Sequence, residues 1–340
     1  WIIPHFEKML YDNALLIDIY SKAWQRYPKP LYAAVVAETI AWLEREMQSP
    51  EGAFYAALDA DTESEEGRTY LWSPEEVRDL LGETEGNRFC EAYGITPEGN
   101  FEDTGLTNPV LLEGDPELRD QLGDARARLL EARARRPQPG RDEKCLTAWN
   151  GLLVRALARA GWAFGRRDWL DAARRLGSWI WETMRHGDDR LHTVAYNGQP
   201  RGNGHLDDYA NTIEGFLALA AVADWAEPGE ATLWRERAAR LTESVELHFR
   251  DPAAVGYYFT SDDHEALVHR KKDWFDNAIP SGNASMAHVY GALEALTGEA
   301  AHGAAAERLK VAYPGIVQAA PAAASHALAA FTQRATGIAV

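Results

Sequence analysis

The chain has few cysteines and lacks any long apolar run. Only Cys90 and Cys145 are present among 340 residues, and their separation fits neither a disulfide framework nor a zinc ligand set. We therefore predict two reduced, largely inert thiols and a reducing, cytoplasmic location. No uninterrupted apolar run approaches the roughly 20 residues that a membrane-spanning helix needs, so no membrane association is expected.

Basic residues are scarce relative to acidic ones. The chain has 35 Lys and Arg against 52 Asp and Glu, which gives a formal net charge of −17. Nucleic acids and anionic membrane surfaces bind basic faces, so neither is expected as a partner. The sequence opens on Trp1-Ile2-Ile3-Pro4-His5, which is neither an initiator methionine nor a signal peptide, so we expect the natural N-terminus to lie further upstream.

Several common catalytic motifs are also missing. We find no nucleophile elbow, Walker loop, dinucleotide fingerprint or C-x-x-C motif. The stretch that begins at Asp59 has some features of a calcium loop, but Ser64 stands where a glycine is needed and Tyr70 where a glutamate is needed. We predict no metal and no cofactor.

Helical periodicity dominates what is present. Apolar residues at helical spacing predict four helix pairs, whose first helices begin near residues 6, 146, 206 and 283. We predict helix C-caps at Gly165, Gly187 and Gly298. After the pairs come short aromatic stretches near residues 52, 191 and 256, which we expect to be extended loops or brief strands and not a true sheet.

The repeated pattern of two helices followed by one such extended stretch, called an excursion below, predicts an all-α fold. Helix pairs that cannot bury their faces alone either stack into a solenoid or close into a ring. The long, chemically rich excursions favour a closed α/α toroid, incomplete at its N-terminus, over residues 1–340 as a single domain. A helical insertion is predicted over about 73–140, with a helix start at Ser73-Pro74-Glu75-Glu76 and a charged helix from Asp120 to Arg136. The alanine-rich segment 319–330 is predicted to be a last packed helix.

Polar and aromatic residues gather at the starts of alternate helices and on the first excursion. As catalytic candidates we single out the carboxylates Glu7, Asp61, Asp207, Asp208 and Asp276. As substrate-binding candidates we single out His5, Tyr11, Asp12, Asn13, Asp59, Asp142, Lys144, Trp149, Asn150, Tyr209, Glu214, Ser281 and Asn283. Of these, His5 and Glu7 are expected, with Lys8, on the first turns of the first helix.

Two explanations of these clusters stay open. Asp, Asn and Ser at helix starts cap exposed N–H groups, each contributing about 0.5–2 kcal/mol to stability. Helix capping does not explain, however, why Trp, Tyr and His occur at the same helix starts. In a toroid the first helices run parallel, so their starts would meet at one mouth and form a pocket suited to a sugar-like ligand. Paired carboxylates could then cleave a glycosidic bond, or histidines such as His5 and His205 could serve sugar epimerisation or isomerisation.

Five segments resemble the thioredoxin-domain proteins related to spermatogenesis-associated protein 20. In order they are Pro4-His5-Phe6-Glu7-Lys8-Met9-Leu10-Tyr11-Asp12-Asn13-Ala14, Leu58-Asp59-Ala60-Asp61 with Glu65-Glu66-Gly67, Trp149-Asn150-Gly151-Leu152, Leu206-Asp207-Asp208-Tyr209-Ala210, and Ala278-Ile279-Pro280-Ser281-Gly282-Asn283. Together they span about residues 1–300. Where that family often has a His-Asp-Asp-Lys-like run, this chain has Gly140-Arg141-Asp142-Glu143-Lys144, which leaves Asp142 and Lys144 in place without the histidine.

The resemblance implies an N-terminal thioredoxin-like domain followed by an α/α toroid similar to six-hairpin glycosidases and N-acylglucosamine 2-epimerases. On this interpretation the chain carries only the later portion, and the upstream thioredoxin-like domain is a partner within the full-length protein. The expected function is carbohydrate processing by carboxylate acid–base groups at the toroid mouth. The alternative is a non-catalytic module that binds a protein or a sugar and is coupled to that redox domain.

Overall fold

A computed structural model describes residues 2–112, 116–265 and 267–336. Helix accounts for 60% of the structure, which confirms the all-α prediction. The α-helices are α1 (Leu10–Arg26), α2 (Pro30–Trp42), α3 (Pro74–Leu81), α4 (Glu83–Tyr93), α5 (Pro116–Gln121), α6 (Gly123–Ala134), α7 (Thr147–Phe164), α8 (Arg167–Trp179), α9 (Leu206–Ala226), α10 (Glu230–His248), α11 (Gly282–Thr297), α12 (Ala300–Lys310), α13 (Pro314–Ala319) and α14 (Ser325–Thr336). Short strands connect them: β1 (Lys8–Met9), β2 (Ala57–Leu58), β3 (Asp61–Thr62), β4 (Glu65–Glu66), β5 (Arg141–Asp142), β6 (Lys144–Leu146), β7 (Arg185–His186), β8 (Arg190–Tyr196) and β9 (Gln199–Asn203).

The chain divides into two compact units. The first contains Trp1–Met9 and Ala57–Asp142, and the second contains Leu10–Ala56 and Glu143–Val340. The first unit therefore includes the segment 73–140 that we predicted as an insertion, together with strands on either side of it. The single toroid domain stays a prediction.

The second unit is a row of helical hairpins. Its inner helices pack in chain order, α1 on α7, α7 on α9, α9 on α11 and α11 on α14. The partners α2, α8, α10 and α12 each pack on the inner helix that precedes them. The inner helices are covered on several sides, so α7 and α11 bury polar residues such as Asn150 and Asn283 as well as apolar ones. The predicted helix pairs are confirmed. Their inner helices carry many apolar residues because a helix that is flanked on several sides buries most of its circumference.

Helix α1 begins later than predicted. The expected helix from Phe6 is wrong, because Lys8–Met9 is extended and pairs antiparallel with Ala57–Leu58, and the helix starts only at Leu10. His5, Glu7 and Lys8 therefore precede the helix. At the other end of the chain, the predicted helix over 319–330 is replaced by α13, a short 3-10 turn at Pro321–Ala324 and α14.

A small antiparallel sheet forms in the second unit, contrary to the expectation of isolated excursions. Strand β8 pairs with β6, β7 and β9, so the stretch around residue 191 is part of a four-stranded sheet. Gly187 lies in the turn between β7 and β8 with a φ of 48°, and its prediction as a helix C-cap was wrong. Gly165 and Gly298 do cap α7 and α11 in the left-handed conformation, as predicted.

The first unit has its own small core. Helices α3, α4 and α6 bury Val77, Phe89 and Leu129 against one another. The predicted start of α3 is confirmed, since Ser73 and Glu76 form a reciprocal capping box with Pro74 at the first helical position. The single charged helix predicted from Asp120 to Arg136 is instead two helices, interrupted at Leu122, whose buried side chain joins this core.

Within the described ranges, no helix combines the length and the apolar character that crossing a membrane would require.

Helices α7 and α9 approach each other closely through two glycines. A Cβ added to Gly151 would lie 2.7 Å from the backbone nitrogen of Thr212, and one added to Gly215 would lie 2.8 Å from the carbonyl oxygen of Gly151. Backbone atoms cannot move aside as a flexible side chain can, so this crossing depends on the missing side chains.

We expect Gly151→Ala to lower the free energy of unfolding by about 2 kcal/mol or more, because the new methyl group collides with backbone. The matched control is Gly291→Ala on α11, where an added Cβ meets no atom within 4 Å. That change should be neutral or stabilise by up to about 1 kcal/mol, since alanine favours a helix over glycine. Urea unfolding of both variants measures the difference, and equal effects would contradict the close crossing.

Candidate functional site

A cavity of about 610 Å³ lies among the inner helices of the second unit. Side chains from α1, α7, α9, α11 and α14 line it. Its volume falls in the range of pockets that take small molecules. Small apolar residues such as Ala218, Ala221 and Ala292 form part of the wall, and charged groups gather on the remainder.

Three cations surround one buried carboxylate beside this cavity. Asp18 of α1 accepts a hydrogen bond from Arg159 and lies 3.2 Å from the Nζ of Lys22 and 3.8 Å from Arg155. Burial alone would raise the pKa of Asp18, but the three cations hold it well below its usual range. Asp18 is therefore ionised, and it ties α1 to α7.

A second buried carboxylate connects α9 with α7 and α14. Glu214 of α9 accepts a hydrogen bond from Arg155 of α7, and its other oxygen lies 3.1 Å from the Nε2 of His326 on α14. Burial opposes ionisation of Glu214, yet Arg155 and His326 hold its pKa well below the usual range. Arg155 thus links Asp18 on one neighbouring helix with Glu214 on the other.

Two imidazoles lie side by side on the cavity wall. The rings of His288 and His326 have centroids 4.1 Å apart, and the Nε2 of His288 lies 2.9 Å from the carbonyl oxygen of His326. Burial, and next the neighbouring His326, lower the pKa of His288 to about 3. His288 is therefore neutral at physiological pH.

Two groups in the described residues have a donor set that could hold a metal ion. Glu214, His288 and His326 each place one ligand atom within 4.8 Å of the others, and so do His248, Asp262 and Asp263. In the first group the guanidinium of Arg155 occupies one oxygen of Glu214, which disfavours a divalent cation there. In the second group Asp263 is held by both terminal nitrogens of Arg190. The prediction of no metal and no cofactor stays untested.

The asparagines predicted as ligand-binding residues hold the backbone of two excursions. The side-chain amide of Asn150 accepts a hydrogen bond from the N–H of Phe54 at 2.9 Å and donates to its carbonyl at 3.0 Å. Asn283 forms the same pair of bonds with Tyr257, at 2.9 and 3.0 Å. Both side chains are buried, so each amide fixes one extended stretch against the start of an inner helix.

The carboxylates at the start of α9 and before α11 also bond to backbone. Asp208 accepts from the N–H of Ala148 at 2.9 Å and from that of His205 at 2.8 Å. Asp276 accepts from the N–H of Ser281 at 3.0 Å and from that of His326 at 2.8 Å. These contacts satisfy helix-start donors, as the capping explanation expects.

Other predicted residues at these starts also have defined contacts. The hydroxyl of Tyr209 accepts from the N–H of Leu191 at 2.8 Å, and the Oγ of Ser281 caps the N–H of Ala284 at 3.3 Å. The ring of Tyr11 meets that of Trp149 edge to face with centroids 4.8 Å apart. Asp12 and Asn13 lie in the first turn of α1, and Lys144 lies in β6.

Asp207 differs from its neighbours. Its Oδ1 has no hydrogen-bond partner among the described residues, although it is buried. Burial raises the pKa of this carboxyl to about 7, with further contributions from Asp208 and Asp273. A carboxyl that titrates near neutrality can act as a general acid.

The predicted residues of the first unit lie on its strands and loops. His5 is 3.3 Å from Glu7 and 3.4 Å from Glu66, all on the surface. Asp59 accepts from the N–H of Asp61 at 3.1 Å, next to the β3–β4 hairpin. Asp142 lies in β5, opposite Ala57.

Sequence reasoning missed most of the charged cavity wall. Among the predicted residues of the second unit, Glu214 is part of the cavity lining; Lys22, Arg155, Arg159, His288 and His326 were not predicted. One signal was present, since Arg155 interrupts the apolar face of a helix that also buries Leu152 and Ala156. A charged residue at a core position requires a buried partner and therefore marks a polar site.

Comparison with known proteins shows what the chain is related to. No protein-family model matches it. The chain is homologous to spermatogenesis-associated protein 20. It is 32% identical to the human protein over 346 residues, which covers 88% of this chain and 43% of that protein. It is 26% identical to an uncharacterised protein of Caenorhabditis elegans, over 84% of this chain and 43% of the relative. The chain thus spans less than half the length of these curated relatives.

Structural comparison identifies the fold class. A cellobiose 2-epimerase from Bacillus thermoamylovorans superposes with a TM-score of 0.56 at 10% identity, covering 90% of this chain and 61% of that one. At this identity the similarity concerns the fold. The predicted α/α-toroid class is confirmed.

Asp207 should make stability depend on pH. Its pKa rises from 3.8 to about 7 in the folded state, so between pH 4 and 7 the folded chain binds more protons than the unfolded one. Stability from this group therefore falls as the pH rises through that window. Asp207→Asn should be more stable relative to wild type at pH 8 than at pH 5, by on the order of 2 kcal/mol.

Urea unfolding at pH 5 and pH 8 measures this difference. The control is Asp188→Asn, which removes an exposed carboxylate from the same unit. An equal pH response of both variants would contradict the raised pKa of Asp207.

Proposed function

We propose that the second unit is a carbohydrate-processing domain that takes a small polyhydroxylated ligand into its cavity and transfers protons with His326. The observation that carries this proposal is the His326–Glu214 pair on the wall of a cavity large enough for a sugar. The shared toroid fold, in which the cellobiose 2-epimerase acts on a sugar, supports the choice of ligand class.

The paired carboxylate prepares His326 for this role. When the Nε2 of His326 donates its proton to Glu214, the imidazole is fixed in one tautomer and Nδ1 is left with a lone pair. A carboxylate that orients an imidazole in this way also stabilises the imidazolium that forms when the base accepts a proton. Arg155, bound to the same carboxylate, holds the pKa of Glu214 well below its usual range, so Glu214 stays ionised and can accept from His326.

The positions of the two imidazoles favour isomerisation over two-sided epimerisation. Proton removal from one face of a carbon and return to the other face needs bases on both sides of the substrate. The rings of His288 and His326 are 4.1 Å apart, so a sugar cannot lie between them. A base on one side can instead move a proton from C2 of an open-chain aldose to C1 through an enediol. The O2 hydroxyl proton passes to O1 in the same conversion, so the aldose becomes a ketose.

Asp207 supports a second candidate, in which acid–base chemistry occurs at the helix starts. A carboxyl with a pKa of about 7 can protonate a leaving oxygen, as glycoside hydrolysis requires. In that proposal Asp208 and Asp276 of the same unit keep their predicted catalytic roles, although both already bond to backbone N–H groups.

In a third candidate function the chain binds a ligand but catalyses no reaction. Here the chain is a binding module within a longer protein, coupled to an upstream thioredoxin-like domain in a reducing, cytoplasmic location. Homology over 43% of the human relative supports a longer natural context. No catalytic group is needed in this case.

We expect the chain to exchange the C2 proton of a suitable aldose with solvent deuterium, as followed by NMR in D2O. His326→Gln should lower that rate at least about 100-fold, because a general base typically contributes 10²- to 10⁴-fold. The control His269→Gln removes an exposed imidazole outside the cavity lining and should not change the rate. Thermal melting of both variants checks that the fold is retained.

The same panel separates the alternatives. Hydrolysis of nitrophenyl glycosides that is lost in Asp207→Asn but kept in His326→Gln would favour the glycosidase candidate. Ligand binding without exchange or hydrolysis would favour the binding module and contradict catalysis by His326.

A further inference from the structure

The charge of the cavity wall is opposite to that of the whole chain. Four cationic side chains line the cavity, Lys22, Arg155, Arg159 and Arg334, against the two carboxylates Glu214 and Glu294. The chain as a whole carries a formal charge of −17. A cationic concavity in an acidic protein attracts and concentrates anions.

The excess positive charge is located where α1 and α7 meet. Arg334, by contrast, lies between the two carboxylates Glu294 and Glu307, so it adds no excess positive charge. At the α1–α7 side, Lys22, Arg155 and Arg159 share Asp18. Among the residues that the structure describes, only Arg155 of these three pairs with a further carboxylate, Glu214. These groups are three cations and two anions.

Two observations show that this excess is not satisfied within the described residues. The Nε–H of Arg155 has no hydrogen-bond partner, although Arg155 is only 7% exposed and lines the cavity. A buried donor without a partner is destabilising, and an acceptor on a ligand would supply the missing hydrogen bond. Burial, together with repulsion from Arg159 and Arg155, lowers the pKa of Lys22 despite the nearby Asp18.

We propose that the ligand of this cavity is an anionic sugar, whose phosphate or carboxylate group is held by Lys22, Arg155 and Arg159. This inference rests on the proposed sugar-binding function and specifies its substrate class. Guanidinium groups suit both anions, since their N–H donors match a pair of oxygens, and the ammonium of Lys22 adds a point charge. The rest of the cavity, next to Glu214 and His326, remains for the hydroxyl groups of the sugar.

The negative ends of the helix dipoles of α1 and α7 reduce the positive potential of this site only slightly. The negative end of a helix dipole acts within its last turn, and α1 and α7 end at Arg26 and Phe164. Lys22 and Arg159 lie four and five residues before those ends. Their full charges therefore determine the local potential.

Isothermal titration with the purified chain tests this inference, with glucose 6-phosphate, glucuronate, glucose and inorganic phosphate as probes. We expect at least one anionic sugar to bind about tenfold or more tightly than glucose, with an affinity that falls as salt is raised. Lys22→Gln should weaken that binding about five- to tenfold while leaving Asp18 paired with two arginines. The control Arg26→Gln removes an exposed cation one turn further along the same helix and should leave the affinity unchanged.

Each outcome has a separate meaning. Preference for glucose 6-phosphate or for glucuronate identifies the anionic group, and either result supports the inference. Equal binding of glucose, unaffected by Lys22→Gln in a variant that melts as wild type does, overturns it and leaves the sugar function intact. Binding of inorganic phosphate as tightly as the sugar phosphate supports the anion site but contradicts the sugar function. Absence of binding by all four probes overturns both.

Discussion

The guanidinium of Arg155 connects three neighbouring inner helices, and the cavity wall depends on it. It bonds to Glu214 on one side and lies near Asp18 on the other, so α7 is tied to both α9 and α1 through buried charge. Removing one member of such a set leaves an uncompensated buried charge, at a cost of about 3–5 kcal/mol. The same groups that hold the helices together therefore create the potential inside the cavity, and stability and ligand choice are not independent here.

The inner helices carry residues that hold backbone at their starts and residues that line the cavity further along. At the starts of α7, α9 and α11, Asn150, Asp208 and Asn283 bond almost entirely to backbone and fix the excursions. Further along the same helices, Arg155 and Glu214 face the cavity. Asp207 is the exception at the helix starts, with a raised pKa and an oxygen that has no partner among the described residues. The acid–base groups proposed at His326 and at Asp207 have different surroundings: His326 bonds to Glu214 on the cavity wall, whereas Asp207 lies at the start of α9.

Much of the fold follows from the sequence because its determinants are local. The periodic apolar positions, the Ser73–Glu76 capping box and the glycines Gly165 and Gly298 all specify structure through neighbours in the chain. The four-stranded sheet around β8 could not be predicted in the same way, because β6 and β8 pair across about 50 residues. The cavity wall was missed for a similar reason. Asp18 and Arg159 are 141 residues apart, and only the packing of α1 on α7 makes them partners.

The backbone hydrogen bonds of Asn150 and Asn283 determine which positions can change in amino-acid type. At Phe54 and Tyr257 the amides of Asn150 and Asn283 bond to the main-chain N–H and C=O, so these bonds do not depend on which side chain those two positions carry. The asparagines themselves have no such freedom. An aspartate at either position would accept from the N–H but could not, as a carboxylate, donate to the carbonyl, and it would place a charge in a dry site. This geometry therefore tolerates different side chains at positions 54 and 257 but requires an amide at positions 150 and 283.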